Sequence, residues 1–204
     1  MNDLEIEAIE VGMVKCCNQA TQLYHDAELL FENKRFTTAF SLYQLASEES
    51  SKIKILLRLA IEKRSGIILM DEARGKYFEK LFYSHKEKTK LGTITDQNLN
   101  ELFERLDLPK FRDGNQIIEE LKNPKQLDLL KQDGIYVSLK KGNFTSPSEI
   151  IHEKECRELR EIVFSRHSSQ KGTMEEYLQY KDFFVNRFIE DTKAEHQERL
   201  KKKN

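Results

Sequence analysis

Eight glycines and three prolines are all that punctuate this chain of 204 residues. An average sequence carries about 7 % glycine and about 5 % proline. β-Sandwiches, α/β barrels and dinucleotide-binding folds need many more turn residues, so long helices with few breaks are expected. Charged residues reach 34 %, yet twelve phenylalanines and seven tyrosines supply large rings to bury, which argues against disorder. Lysine and arginine total 34 against 35 for aspartate and glutamate, a formal net charge of −1. That balance excludes a polycationic nucleic-acid coat and an acidic solvating tail.

The N-terminal run Met1-Asn2-Asp3-Leu4-Glu5-Ile6-Glu7 is acidic where a secretory leader is basic and then apolar. The longest apolar run, Ile67-Ile68-Leu69-Met70, falls far short of the roughly 18 residues of a membrane span. A soluble cytoplasmic protein with no membrane partner is expected. Cys16 and Cys17 are adjacent and Cys156 is remote, so they form neither a disulfide framework nor a CxxC metal knuckle; they read as small core residues.

Apolar residues in the segment 3–32 recur at spacings of three and four, from Leu4 and Ile9 through Met13 and Ala20 to Leu30, which predicts a helix. Asn33-Lys34-Arg35 is a short break that returns a second helix, from Phe36 to about Arg64, antiparallel to the first. Ala20, Ala27, Ala39 and Ala46 face one another in this hairpin and permit close approach. A third helix is expected from near Asp71 to a glycine cap at Gly92, then a short helix over 95–107 with Thr95 as its cap. Residues 108–114 read as a loop, 115–132 as a helix, Ile135–Ser138 as extended and Lys141-Gly142-Asn143 as a turn. Ser146-Pro147-Ser148-Glu149 opens a helix to about Ser168, and Gly172-Thr173-Met174-Glu175 opens the last one. Together these predict one all-α domain over 1–204. Its core hairpin and third helix occupy 1–107, a loop-rich connection with a helix 108–146, and a C-terminal helical hairpin 147–200.

The chain contains no GxxxxGK[ST], GxGxxG, GxSxG, HExxH or EF-hand loop, and its five histidines include no pair at ligand spacing. Three polar constellations remain. Glu48, Glu49 and Lys52 lie one helical turn apart in mid-helix, with Asp26 placed to face them across the hairpin; the ordinary alternative is an exposed ion pair. His85 and Lys88 share a face, suited to proton transfer beside a cation or, alternatively, to a helix-end dipole contact. Arg160 and His167 are almost two turns apart on one helix face, about 10 Å along its axis, near enough for long side chains to converge on a phosphodiester. The alternative there is a surface arginine and a helix-end histidine.

The ordered pattern Asn18-x-Ala20-x-x-Leu23-x-x-Asp26-Ala27, Phe36-x-x-Ala39, Ala46-x-Glu48-Glu49-x-x-Lys52, His85-x-x-Lys88, Tyr136-Val137 and Phe144-x-Ser146-Pro147 resembles the AbiV family of bacterial abortive-infection proteins, within the HEPN superfamily. The resemblance implies an HEPN-like antiparallel helical bundle with additional C-terminal helices, acting as a homodimer. It also implies an antiphage effector that shuts down host translation when a phage-encoded trigger appears. Many HEPN proteins cleave RNA without metal or cofactor through Arg-x4-6-His, in which histidine activates the 2′-hydroxyl and arginine steadies the phosphate. Here Lys80 stands where that arginine would precede His85, and a lysine lacks the bidentate fork. The resemblance therefore leaves two candidate sites: His85, Lys88, Lys52, Glu49 and Glu48, or Arg160 with His167. It also leaves a non-catalytic helical adaptor that binds a phage or ribosomal protein through Phe103, Phe111, Tyr136 or Phe144.

Overall fold

A computed structural model describes Met1 and residues 3–107, 109–123, 125–140 and 142–201. Among them are eight α-helices and one small hairpin. The helices are α1 (Ile6–Glu32), α2 (Phe36–Ser65), α3 (Glu72–Tyr83), α4 (His85–Arg105), α5 (Gly114–Lys122), α6 (Lys125–Asp133), α7 (Glu153–Gln179) and α8 (Lys181–Lys201). Strands β1 (Ser138–Lys140) and β2 (Asn143–Thr145) pair antiparallel between α6 and α7, with Leu139 opposite Phe144. The architecture is all-α, as the scarcity of turn residues predicts.

The α1–α2 hairpin forms as its spacing requires. Lys34 takes a positive φ of 58° in the link, while the Asn33 amide side chain and backbone both donate to the Leu29 carbonyl that ends α1. Ala20, Ala27, Ala39 and Ala46 are fully buried between the two helices. α2 then becomes the axis of the molecule, packed by α1, α7, α4, α8 and α3. One apolar cluster gathers Ile9, Met13, Ile53, Leu59, Phe78 and Tyr177 toward the C-terminal half of α2; another gathers Ala39, Phe40, Tyr43, Cys156 and Val163 at its start. The three cysteines are free and buried, as expected of core residues, and burial pushes the Cys16 thiol up to about 11 and Cys156 to about 12.

Several expected boundaries are corrected. The helix expected over 71–92 breaks at Ser84, which is extended and accepts a hydrogen bond from the Glu87 amide, so Ser84-x-x-Glu87 starts α4. Gly92 is no cap: it lies inside α4, and a Cβ there would sit 3.2 Å from the Arg166 guanidinium. Thr95 likewise lies inside α4, its hydroxyl donating to Leu91. The single helix expected over 115–132 is two, α5 and α6. Ser146-Pro147-Ser148-Glu149 makes only a 3₁₀ turn; α7 begins at Glu153 and runs unbroken through Gly172. Val163, Arg166, Gln170, Met174 and Tyr177 are buried on its inner face, and that docking outweighs the roughly 1 kcal/mol cost of a helical glycine. Tyr136 belongs to the turn closing α6, its amide donating to Gln132, so the extended backbone starts only at Ser138.

Beside α2, the fully buried Asp96 of α4 receives Arg166 of α7 in a bidentate pair at 2.7 and 2.6 Å, and Arg112 at 2.6 Å. Arg112 also grips Glu120 of α5, at 2.9 and 2.5 Å, while Arg166 donates to Ser47 of α2 at 3.1 Å. Asn100 exchanges two hydrogen bonds with the Arg112 backbone and so fixes the segment before α5. One carboxylate thus ties four helices. Asp96→Asn takes from the buried Arg166 its bidentate carboxylate and from Arg112 one of its two carboxylate partners, and is expected to cost about 3–5 kcal/mol, measured by chemical denaturation. A loss under about 1 kcal/mol would show that the pairs are not the clamp described.

Candidate functional site

The side chain of Glu48 points from mid-α2 into the space between α4 and α6, and the residue is only 4 % exposed. A carboxylate so placed requires donors on both oxygens. His85 Nδ1 lies 2.5 Å from Oε2, and Lys88 Nζ lies 3.5 Å from the same oxygen. Lys131 Nζ donates to Oε1 at 2.8 Å. His85 and Lys88 occupy the first turn of α4, one turn apart, so the helix start at Ser84 aims both at Glu48. Lys131 comes from the last turn of α6. Gly134, directly after that helix, has no Cβ to meet Ser41 Oγ, which would lie 2.9 Å away, so α6 can close on α2. Ser41 shares its hydroxyl proton between the Thr37 carbonyl of its own helix, at 3.2 Å, and the Lys131 carbonyl, at 3.4 Å.

Lys88 and Lys131 are buried, whereas the His85 side chain is 55 % exposed. An ionised carboxylate only accepts, so Nδ1 of His85 carries the proton in that bond and Nε2 of the neutral ring carries the lone pair. Lys131 Nζ also stands 3.5 Å from Nδ1, but a protonated Nδ1 cannot accept from it, so the contact is electrostatic only. The result is an accessible imidazole lone pair, oriented from below by a carboxylate and bordered by ammonium groups. That is the geometry of a general base.

The structure thus brings together Glu48, His85 and Lys88 of the expected set. Lys52 and Glu49 form their own pair beside it, at 2.6 Å, with the Lys52 ammonium 5.0 Å from the Phe82 ring centre. Lys131 escaped the sequence reading because it stands 83 positions from Glu48 and no local spacing marks it. Asp26 does not join the site: it accepts from Gln22 on its own helix, and Glu28 is the α1 carboxylate that reaches across to Tyr43, at 2.5 Å. Lys80 ends up on α3, exposed, with the Ser84 break between it and His85.

The alternative pair does not converge. Arg160 is held by Glu28 through two hydrogen bonds, at 2.7 and 2.5 Å. His167 is bonded through both ring nitrogens, Nε2 to Thr21 at 2.9 Å and Nδ1 to Ser50 at 2.8 Å. Thr21 spends its hydroxyl proton on the Cys17 carbonyl, so it accepts from His167 Nε2–H, and Ser50 donates to Nδ1. With both nitrogens engaged, this ring is a rivet joining α1, α2 and α7 and has no lone pair to offer. Burial first, then Lys171 and His25, lower its pKa. Among the aromatics considered for protein binding, Phe103 and Phe111 pack edge to face on each other, whereas Tyr136 and Phe144 are exposed.

The family model of AbiV, in the HEPN group, matches residues 8–168. The chain belongs to the AbiV family. The matched span runs from α1 into α7 and includes every residue of the Glu48 cluster. Membership places the chain among abortive-infection defence proteins. No curated protein and no solved structure matches it significantly. Among the described residues, no helix is long and apolar enough to cross a membrane, and no group of three or more His, Cys, Asp and Glu side chains is arranged to hold a metal ion.

Two outcomes follow from this geometry. Glu48→Ala removes the carboxylate that the buried Lys88 and Lys131 share and is expected to cost about 3–5 kcal/mol in denaturant unfolding, with Lys131→Met in the same chain recovering part of the loss. Strict additivity of the two substitutions would contradict the cluster. For His167, the unfolded chain takes up a proton near the ordinary value of 6.5 that the folded chain resists. Its contribution is therefore complete above that pH and is lost as the pH falls through it. His167→Gln is expected to flatten the decline in stability below about pH 6.5 by up to about 1.4 kcal/mol per pH unit. Identical slopes for both proteins would contradict a buried neutral ring.

Proposed function

We propose that this AbiV-family protein is an abortive-infection effector that cleaves RNA without a metal, with His85 as the base, and so stops translation in the infected cell. The observation that carries this reading is the exposed His85 imidazole hydrogen-bonded at Nδ1 to the buried Glu48. In the reaction, Nε2 of His85 accepts the proton of an RNA 2′-hydroxyl, and the 2′-oxygen attacks the adjacent phosphorus. The bond from phosphorus to the 5′-oxygen breaks, and that oxygen takes a proton from water. The products are a 2′,3′-cyclic phosphate and a 5′-hydroxyl end. Glu48 holds the ring's tautomer and balances the imidazolium that forms. Lys88 and Lys131 lend positive potential where charge develops on the phosphoryl oxygens. In this reading a phage component releases the activity and a homodimer is the working form.

The near-neutral net charge fits the same picture: attraction for RNA is local to this cleft rather than spread over the whole surface. A binding-only mode is favoured by one observation, the hairpin on which Leu139 and Phe144 pair with 63 % and 77 % of their surfaces exposed. Apolar area of that kind commonly marks a protein contact.

Protein purified from phage-infected cells and incubated with total RNA in excess chelator is expected to generate fragments ending in cyclic phosphate. His85→Ala should abolish cleavage and Glu48→Gln should slow it by about 10²–10⁴-fold, while His167→Gln leaves the rate within a few-fold. Cleavage that survives His85→Ala, or none from protein taken from phage-infected cells, would overturn the reading.

A further inference from the structure

Between α3 and α4, with α2 beneath and Phe188 of α8 against it, runs a groove of about 480 Å³. Ile55 and Leu57 are buried at its floor, while Ile61, Leu81, Leu91 and Ile94 line it and are only partly covered. Its aromatic wall is preformed: Tyr77 packs against the Arg74 guanidinium, 4.7 Å from its ring centre, and Glu62 holds Arg74 at 2.7 Å. Four charged groups border the groove, the cations Lys54, Arg58 and Lys90 and the carboxylate Glu87. Arg58 is engaged by Glu62 at 2.8 Å. Lys54 and Lys90 form no ion pair among the described residues, and the one hydrogen bond Lys54 makes there runs to Thr95 at 3.3 Å. Burial lowers the Lys54 pKa, with Asp96 opposing, and Asp96 is already committed to two arginines.

The groove's volume falls within the range of pockets that enclose small organic ligands, which commonly sit between helices of a bundle. Apart from the four charges and the Tyr77 hydroxyl, its lining carries no polar side chain, so it suits hydrocarbon rather than a sugar or a base. Two ammonium groups without counter-charge call for one anionic end on that hydrocarbon. The shape sets a length as well: α4 from Glu87 to Ile94 spans about 10 Å, near that of an extended chain of about eight carbons. We propose that this groove binds a medium-chain fatty acid as its anion, with the carboxylate on Lys54 and Lys90 and the chain along Leu81, Leu91 and Ile94. Glu87 opposes the anion and moderates its affinity. The site is separate from His85 and does not depend on whether His85 cleaves RNA.

The test is NMR titration of the whole protein, labelled at its Ile and Leu methyl groups, with hexanoate, octanoate and decanoate below the concentrations at which they aggregate. Octan-1-ol and octyltrimethylammonium serve as the neutral and cationic counterparts. Saturable shifts are expected at Ile61, Leu81, Leu91 and Ile94. Affinity should rise by about fourfold per added methylene until the chain fills the groove. Octanoate should bind more tightly than the alcohol or the cation. Lys54→Met should weaken octanoate by about tenfold or more, the worth of one hydrogen bond to a charged group. Lys90→Glu should weaken it by up to about fivefold, and Glu87→Gln should strengthen it by a similar factor. Should Lys54→Met fail to fold, these two rim substitutions carry the test through their opposite signs. No saturable shifts with octanoate or decanoate, equal binding of the alcohol or the cation, or a response indifferent to the substitutions overturns the proposal. The groove is then a face for an uncharged apolar segment of another protein.

Discussion

A thirty-residue helix enclosed on most of its circumference has little solvent face on which to place charge. α2 nonetheless buries Glu48 and Glu62 together with Ser41, Gln44, Ser47, Ser50 and Ser51. Most of these groups find hydrogen bonds inside the bundle, from the surrounding helices or from α2 itself, while Gln44 Nε2 has none among the described residues. Glu62 takes Arg58 at 2.8 Å and Arg74 of α3 at 2.7 Å; Ser47 takes Arg166; Ser50 takes His167; Glu48 takes His85, Lys88 and Lys131. Glu10 of α1 does the same at the far end, gathering Arg64 at 2.8 Å, Tyr177 at 3.1 Å and Lys181 at 2.7 Å. Helix positions in this molecule are set as much by charge matching as by apolar burial.

Buried pairs of this kind add little net stability over well-packed apolar residues, because desolvation offsets most of the attraction. What they do supply is register. A leucine in place of Glu48 would let α4 and α6 slide; the carboxylate accepts only one arrangement of His85, Lys88 and Lys131. Other clusters also reach the surface, as Arg58 does beside Glu62 and Lys181 beside Glu10, but through cations that can only donate. The Glu48 cluster differs in the kind of group it brings out: His85 carries a ring nitrogen that has no hydrogen-bond partner among the described residues. That asymmetry separates a functional arrangement from a structural one, and it is why His167, bonded through both ring nitrogens, is read as a rivet.

Local pattern carried much of this. The α1–α2 hairpin, its small-residue seam and the one-turn spacings within Glu48–Lys52 and His85–Lys88 are all visible as periodicities of three and four. The break at Ser84 was visible too, as a Ser-x-x-Glu cap, but the apolar spacing on both sides masked it. Gly92 reads as a helix end, but a glycine also marks a place where something must come close, and Arg166 against Gly92 settles which only in three dimensions. Lys131, Asp96 and Arg112 belong to contacts between distant segments, which no local spacing encodes.

The central claim is that Glu48 fixes His85 with its proton inward and its lone pair outward. Nitrogen-15 NMR of the histidine rings, at a pH where they are neutral, reads this directly. The structure predicts opposite tautomers for two rings: Nδ1–H for His85, donating to Glu48, and Nε2–H for His167, donating to Thr21. Glu48→Gln should abolish the preference at His85 and leave His167 unchanged. An Nε2–H tautomer at His85 in the native protein, or a preference indifferent to Glu48, would contradict the account.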